Sequence, residues 1–110
     1  MAKINYDFEE DILAMSKGKK AKESIDIGDF IVDLDHQGFV VGIEILNASE
    51  NLKINKQQLK LLKKASMVVR YRSNCIYVSL VLNLKEKEKD ITIPFAFDSS
   101  HSRTQKTVFT

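Results

Sequence analysis

The chain has 110 residues, 44% apolar and 29% charged, with a formal charge of +2. That is the profile of one globular domain able to build a core without staples, and it excludes collagen-like and low-complexity chains. Cys75 is the single cysteine, which rules out an internal disulfide and a multi-cysteine zinc site.

The opening Met-Ala-Lys-Ile-Asn-Tyr-Asp lacks the apolar core of a secretion signal. Glu44 interrupts the apolar run from Phe39 to Leu46, far short of the ~20 residues that span a bilayer. The expected setting is therefore a reducing cytoplasm, with no membrane contact. Charge is unevenly spread. Residues 1–50 carry eleven acids and five bases, whereas residues 51–110 carry four acids and twelve bases. Such asymmetry suits either complementarity between the two halves, within a chain or across a dimer, or a basic half that faces a polyanion.

In chain order, Ile4 and Tyr6 suggest a short strand, Phe8 to Glu10 a turn, and Leu13 with Met15 a second strand. Lys17-Gly18-Lys19-Lys20 reads as a basic loop, and Ile25 with Ile27 as a third strand. Phe30, Val32 and Leu34 alternate with polar neighbours and Ile31, and Phe39, Val41, Ile43 and Ile45 do the same after Asp35-His36-Gln37-Gly38. A three-residue loop would put Asp33 across from Val41. A four-residue loop pairs Leu34 with Phe39, Val32 with Val41 and Phe30 with Ile43, and the sharing of faces favours it. In that register Asp29 faces Glu44, while Ile31, Val40 and Leu46 lie away from the core.

Asn55 has the makings of an N-cap, with Gln58 three residues on and Ile54 and Leu59 placed as a hydrophobic staple. Leu59, Leu62 and Ala65 continue an apolar stripe, so a helix is predicted over 56–65. Met67, Val69 and Tyr71, then Ile76, Val78, Leu80, Leu82 and Leu84, alternate as a hairpin turning at Ser73-Asn74. This pairs Tyr71 with Ile76 and Arg70 with Tyr77, and leaves Val68 and Val81 outside. Lys85 to Asp90 reads as a solvated connection. Ile91, Ile93, Phe95 and Phe97 form another strand, which Pro94 confines to an edge or a break. Residues 1–97 are the expected globular domain; residues 98–110, rich in Ser and Thr, read as a loose polar tail.

Three stretches belong together: Tyr6-Asp7 with Asp11-Ile12-Leu13, Asp33-Leu34-Asp35, and Gly38-Phe39-Val40-Val41-Gly42-Ile43-Glu44-Ile45-Leu46-Asn47-Ala48-Ser49. Residues 3–52 resemble a prokaryotic family of small domains of unknown function. Its members carry a Tyr-Asp strand, an Asp-Ala-Leu-Tyr-like strand and a Gly-x-Val-Val-Gly-Ile-Glu-Ile-Leu-x-Ala-Ser ending. Ile12-Leu13-Ala14 departs from that pattern by lacking the tyrosine. The resemblance implies a fold and no activity.

Among chemical candidates, Asp29, Asp33, Asp35, His36 and Glu44 are the residue types of a metal or acid–base site, yet no paired-histidine, paired-cysteine or calcium-loop spacing accompanies them. An outward polar row is the favoured reading. Ser49 has no base on rigid structure, since His101 falls in the expected tail. Lys56, Lys60, Lys63 and Lys64, with Arg70 and Arg72, form the best positive feature and could neutralise phosphates. A solvated helix face accounts for the same lysines, and only Tyr71 and Tyr77 are near them in sequence for base stacking.

The residues thus predict an α+β fold of seven or eight short, mostly antiparallel strands with one helix near 56–65. The favoured function is a non-catalytic interaction module with no cofactor, self-associating as a homodimer through apolar sheet surface and able to dock a protein partner. Nucleic-acid binding through Lys56, Lys60, Lys63, Lys64, Arg70 and Arg72 is the alternative. A metal-dependent enzyme using Asp29, Asp33 and Glu44 is the third reading.

Overall fold

A computed structural model of the chain describes residues 2–110. The fold is α+β, with nine strands in two antiparallel sheets and two short helices. The first sheet contains β1 (Lys3–Asp7), β2 (Ile12–Ser16), β3 (Glu23–Ile27), β4 (Phe30–Leu34) and β5 (Val40–Ile45). Its order is β1-β2-β5-β4-β3, so β5 is central and one hairpin flanks it on each side. The β3–β4 hairpin turns through Gly28 and Asp29, with Gly28 at φ 61°. A glycine at the first position of a two-residue turn matches the right-handed twist of the strands.

Helices α1 (Ala48–Leu52) and α2 (Lys56–Lys60) lead to the second sheet. This contains β6 (Ala65–Tyr71), β7 (Cys75–Asn83), β8 (Glu88–Ala96) and β9 (Thr104–Phe109), in the order β8-β7-β6-β9. The inner residues of both sheets join one hydrophobic core: Leu13, Met15, Val32, Ile43 and Ile45 from the first, and Met67, Val69, Val78, Leu80 and Leu82 from the second. Leu52, Ile54 and Leu59 seal it between the sheets in sequence.

Several sequence expectations hold. Tyr71 pairs with Ile76 and Arg70 with Tyr77, and Pro94 lies on the edge strand β8. The Asn55 side chain accepts a hydrogen bond from the Gln58 amide at 2.8 Å.

Other expectations are corrected. The β4–β5 register begins as the three-residue loop, with the Asp35 amide donating to the Phe39 carbonyl at 2.9 Å. Leu34 pairs with Val40 in that register, which then shifts so that Asp33 pairs with Gly42, Val32 with Ile43 and Phe30 with Ile45. A β-bulge absorbs the parity conflict that the four-residue loop was invoked to avoid. Val40 is consequently inside the core with no exposed surface. Glu44 pairs with Ile31, and Asp29 does not face it.

The predicted helix over 56–65 is one short turn, ending at the Leu61 cap. Ala65 instead starts a strand with its side chain buried; tertiary pairing with β7 overrides the helical spacing. The Lys85–Asp90 connection is shorter than expected, because β8 starts at Glu88. The expected loose tail contains β9, paired with β6 along six residue pairs, and Phe109 is wholly buried. One aromatic side chain and an available sheet edge outweigh the polar composition around them.

Candidate functional site

The three motif stretches converge where β5 leaves the first sheet. Asp11, in the β1–β2 turn, adopts a left-handed φ of 57°. That conformation aims its carbonyl at the Ala48 amide, which donates to it at 2.9 Å. Its carboxylate accepts from the Tyr6 hydroxyl and from the Ser49 hydroxyl, both at 2.6 Å. The Ser49 amide also donates to Asp11 Oδ1 at 3.1 Å. Asn47, at the usual N-cap position of α1, makes no side-chain capping bond. Asp11 thus caps α1 from a distant turn, satisfying a donor that the helix start leaves open.

The electrostatics follow from this geometry. Desolvation alone would raise the Asp11 carboxyl, but the hydrogen bonds from Ser49 and Tyr6 and the nearby Lys56 charge outweigh it and hold the group below its ordinary value of 3.8. Desolvation, then the bond to Asp11 and its charge, raise the Tyr6 hydroxyl well above the ordinary tyrosine range. Tyr6 and Ser49 are therefore protonated donors to one carboxylate, an arrangement that holds the corner rather than generating a nucleophile.

Asp29 grips the same corner from the opposite hairpin. The Asn51 side-chain amide donates to Asp29 Oδ2 at 2.9 Å and to the Leu46 carbonyl at 2.7 Å. The remaining acidic candidates are also placed by local structure. The Ser24 hydroxyl donates to Asp33 at 2.6 Å. Asp35 Oδ1 accepts from the Gln37 and Phe39 amides, closing its own turn. Glu44 lies between Ala14 and Ile31 on the neighbouring strands. His36 is exposed at the hairpin tip. Among the described residues, no group of three His, Cys, Asp or Glu side chains is placed to hold a metal, so Asp29, Asp33 and Glu44 do not form the suggested site.

The basic candidates divide into three places. Lys56 and Lys60 sit over the Phe8 ring, their Nζ atoms 5.1 and 5.2 Å from its centroid. Lys63 and Lys64 line an open groove of about 690 Å³ together with the β7–β8 turn. Arg70 is exposed near the far end of β6, roughly 17 Å of strand from Ala65 at the usual rise per residue. Arg72, beyond that strand end, donates from Nη1 to the Tyr71 carbonyl at 2.9 Å.

Sequence reasoning missed an aromatic junction between the sheets. His101 stacks on Phe39 with ring centroids 3.8 Å apart, and its Nε2 lies 2.6 Å from the Gln37 carbonyl. Tyr71 meets Phe39 edge-on at 5.5 Å. The Tyr71 hydroxyl accepts from the Val40 amide and donates to Gln105 Oε1, each at 2.9 Å. His101 therefore belongs to an ordered crossing rather than a loose tail. Only the presence of aromatic residues in both segments signalled this, and their spacing in sequence does not reveal the meeting.

Residues 3–49 match the model of the family described as protein of unknown function (DUF2283). The match spans the whole first sheet and ends at Ser49, the residue tied to Asp11. An uncharacterized protein of Methanocaldococcus jannaschii is 40% identical over 91 residues, covering 81% of this chain and 78% of its own length. The chain belongs to this family. A Methanosarcina mazei protein named "Putative hypoxanthine phosphoribosyltransferase" is 28% identical over 90 residues, covering 81% of this chain and 73% of its own. No solved structure matches the chain. Both relatives cover well beyond the family-model match, so their similarity to this DUF2283 chain includes much of the second sheet. Among the described residues, no helix is long and apolar enough to cross a membrane.

Proposed function

We propose that this DUF2283 chain is a non-catalytic interaction module that self-associates through the outer face of the second sheet. The observation that carries this reading is the row Val81–Ser66–Val108, three directly paired positions on neighbouring strands of that face. Val68 lies two residues along β6 from Ser66. Val108 is 43% exposed and Tyr77 39%. A second copy related by a two-fold axis presents the same surface, so apolar positions meet apolar positions. On the first sheet Val40 is internal and Ile31 stands between two acids, Glu44 and Asp26, whereas on the second Val68 stands between Ser79 and Lys106 and Val81 between Ser66 and Asp90, charges of opposite sign. The polar groups of Tyr6, Asp11 and Ser49 are engaged with one another and with the start of α1, which supports a structural rather than a catalytic role for them.

Sedimentation equilibrium tests the reading. The expected result is a dimer at micromolar concentration that Val108→Glu and Val68→Glu convert to a folded monomer. A wild-type chain that stays monomeric from micromolar to hundreds of micromolar overturns it.

A further inference from the structure

The groove at the end of the second sheet carries a combination that the self-association face does not use. Its two banks are the α2–β6 connection and the β7–β8 turn, tied together where the Asn83 amide donates to the Lys64 carbonyl at 3.1 Å. The turn closes on itself through the Leu84 amide and the Lys87 carbonyl at 2.9 Å. Leu61, Leu62 and Leu84 supply an aliphatic lining. Leu61 is 67% exposed, the most exposed large apolar side chain described, although it follows closely on Leu59, the buried residue of α2. Lys63 and Lys64 stand on one bank, and Lys85 and Lys87 on the other. Glu86 is the one acid in the lining.

We infer that this groove binds an acidic, aliphatic peptide segment of a partner protein. Lysines on both banks suit negative charge spread along a chain better than a single anionic headgroup at one point. The leucines provide the apolar contact that an acidic segment alone would not repay. The Gln58 and Asn83 side chains, also in the lining, offer amide donors and acceptors to an extended backbone. Nucleic acid fits less well, because sequence-tolerant binding of single strands relies on aromatic stacking platforms, and the lining is aliphatic, amide and charged.

Fluorescence anisotropy on the full chain provides the test, with a short labelled peptide of alternating Glu and Leu as the probe. The expected result is saturable binding that weakens by roughly tenfold or more in Leu61→Ser and in the double variant Lys63→Glu, Lys85→Glu. Oligoglutamate of equal length should bind at least roughly tenfold more weakly than the alternating peptide. All three substituted positions are exposed, and circular dichroism checks that the variants remain folded. No binding of the alternating peptide overturns the proposal, as does binding that Leu61→Ser leaves unchanged. Tighter binding of an oligothymidylate than of the peptide also overturns it and assigns the groove to nucleic acid. Sedimentation of the same variants keeps the two surfaces apart, since the groove substitutions should not alter self-association.

Discussion

The Ser49 hydroxyl donates to Asp11 Oδ2 at 2.6 Å, joining positions 38 residues apart. Asp11→Ala removes the acceptor for this bond, for the Ser49 amide and for the Tyr6 hydroxyl. The expected loss is about 2 kcal/mol in urea denaturation, with Asp11→Asn losing about half as much because one acceptor oxygen survives. Asp11→Gly provides the control for the left-handed backbone, since glycine accepts that conformation without strain. If the alanine and glycine variants are equally unstable, the carboxylate and not the backbone carries the effect.

Acid should act through the same residue. The folded-state pKa of Asp11 lies below its ordinary 3.8. Its ionisation therefore contributes stability that is fully present above the unfolded value and is lost as pH falls through the folded one. The stability difference between wild type and Asp11→Asn should shrink as pH is lowered from 5 towards 2, measured by urea midpoints.

Tyr71 ties the two sheets, and its phenol is pushed up to about 12, chiefly by burial. Tyr71→Phe leaves the Val40 amide and Gln105 without this partner, at an expected cost of about 1–3 kcal/mol. A raised phenol pKa means that the folded state retains its proton after the unfolded chain has released it. Stability present below the ordinary value of 10.0 is therefore lost as pH rises from there towards 12. Thermal melts across that range should fall less steeply for Tyr71→Phe than for wild type.

Gly42 lies where β2, β4 and β5 crowd together. A Cβ there would sit 3.1 Å from the Met15 carbonyl oxygen and 3.3 Å from Asp33 Oδ2. The carbonyl belongs to a paired strand and cannot swing aside, so Gly42→Ala should cost about 1–3 kcal/mol by overpacking. An unchanged melting temperature would show that the strands separate freely at this point.

Phe109 is fully buried at the end of β9. Phe109→Ala should destabilise the fold by about 3–5 kcal/mol. The same substitution should increase hydrogen exchange along β6, which loses its anchored neighbour. A neutral outcome would contradict the place of β9 in the core.

Most of the strand content was legible because the alternation is local: Met67, Val69 and Tyr71 declare a face, and the Ser73-Asn74 turn sets their register. The β4–β5 hairpin misled because a bulge is an added residue, and side-chain alternation cannot say where the extra one goes. The expected helix extends past the real one because Leu62 and Ala65 continue a helical spacing that strand pairing takes over. For the candidate surfaces, sequence supplied the lysines but not their partition. Phe8 takes two of them, and the groove takes others beside a turn more than twenty residues away. The Asp11–Ser49 bond and the Phe39–His101 stack are long-range contacts, invisible to any local window.

The corner after β5 is held from both flanking hairpins, by Asp11 on one side and by Asp29 on the other. Neither hairpin can peel from the central strand without releasing the segment that leads into the second sheet. Loosening of the outer strands is therefore transmitted to the junction, making the first sheet and its exit one cooperative unit. The Leu46, Ala48 and Ser49 amides should accordingly open together, rather than fray in succession.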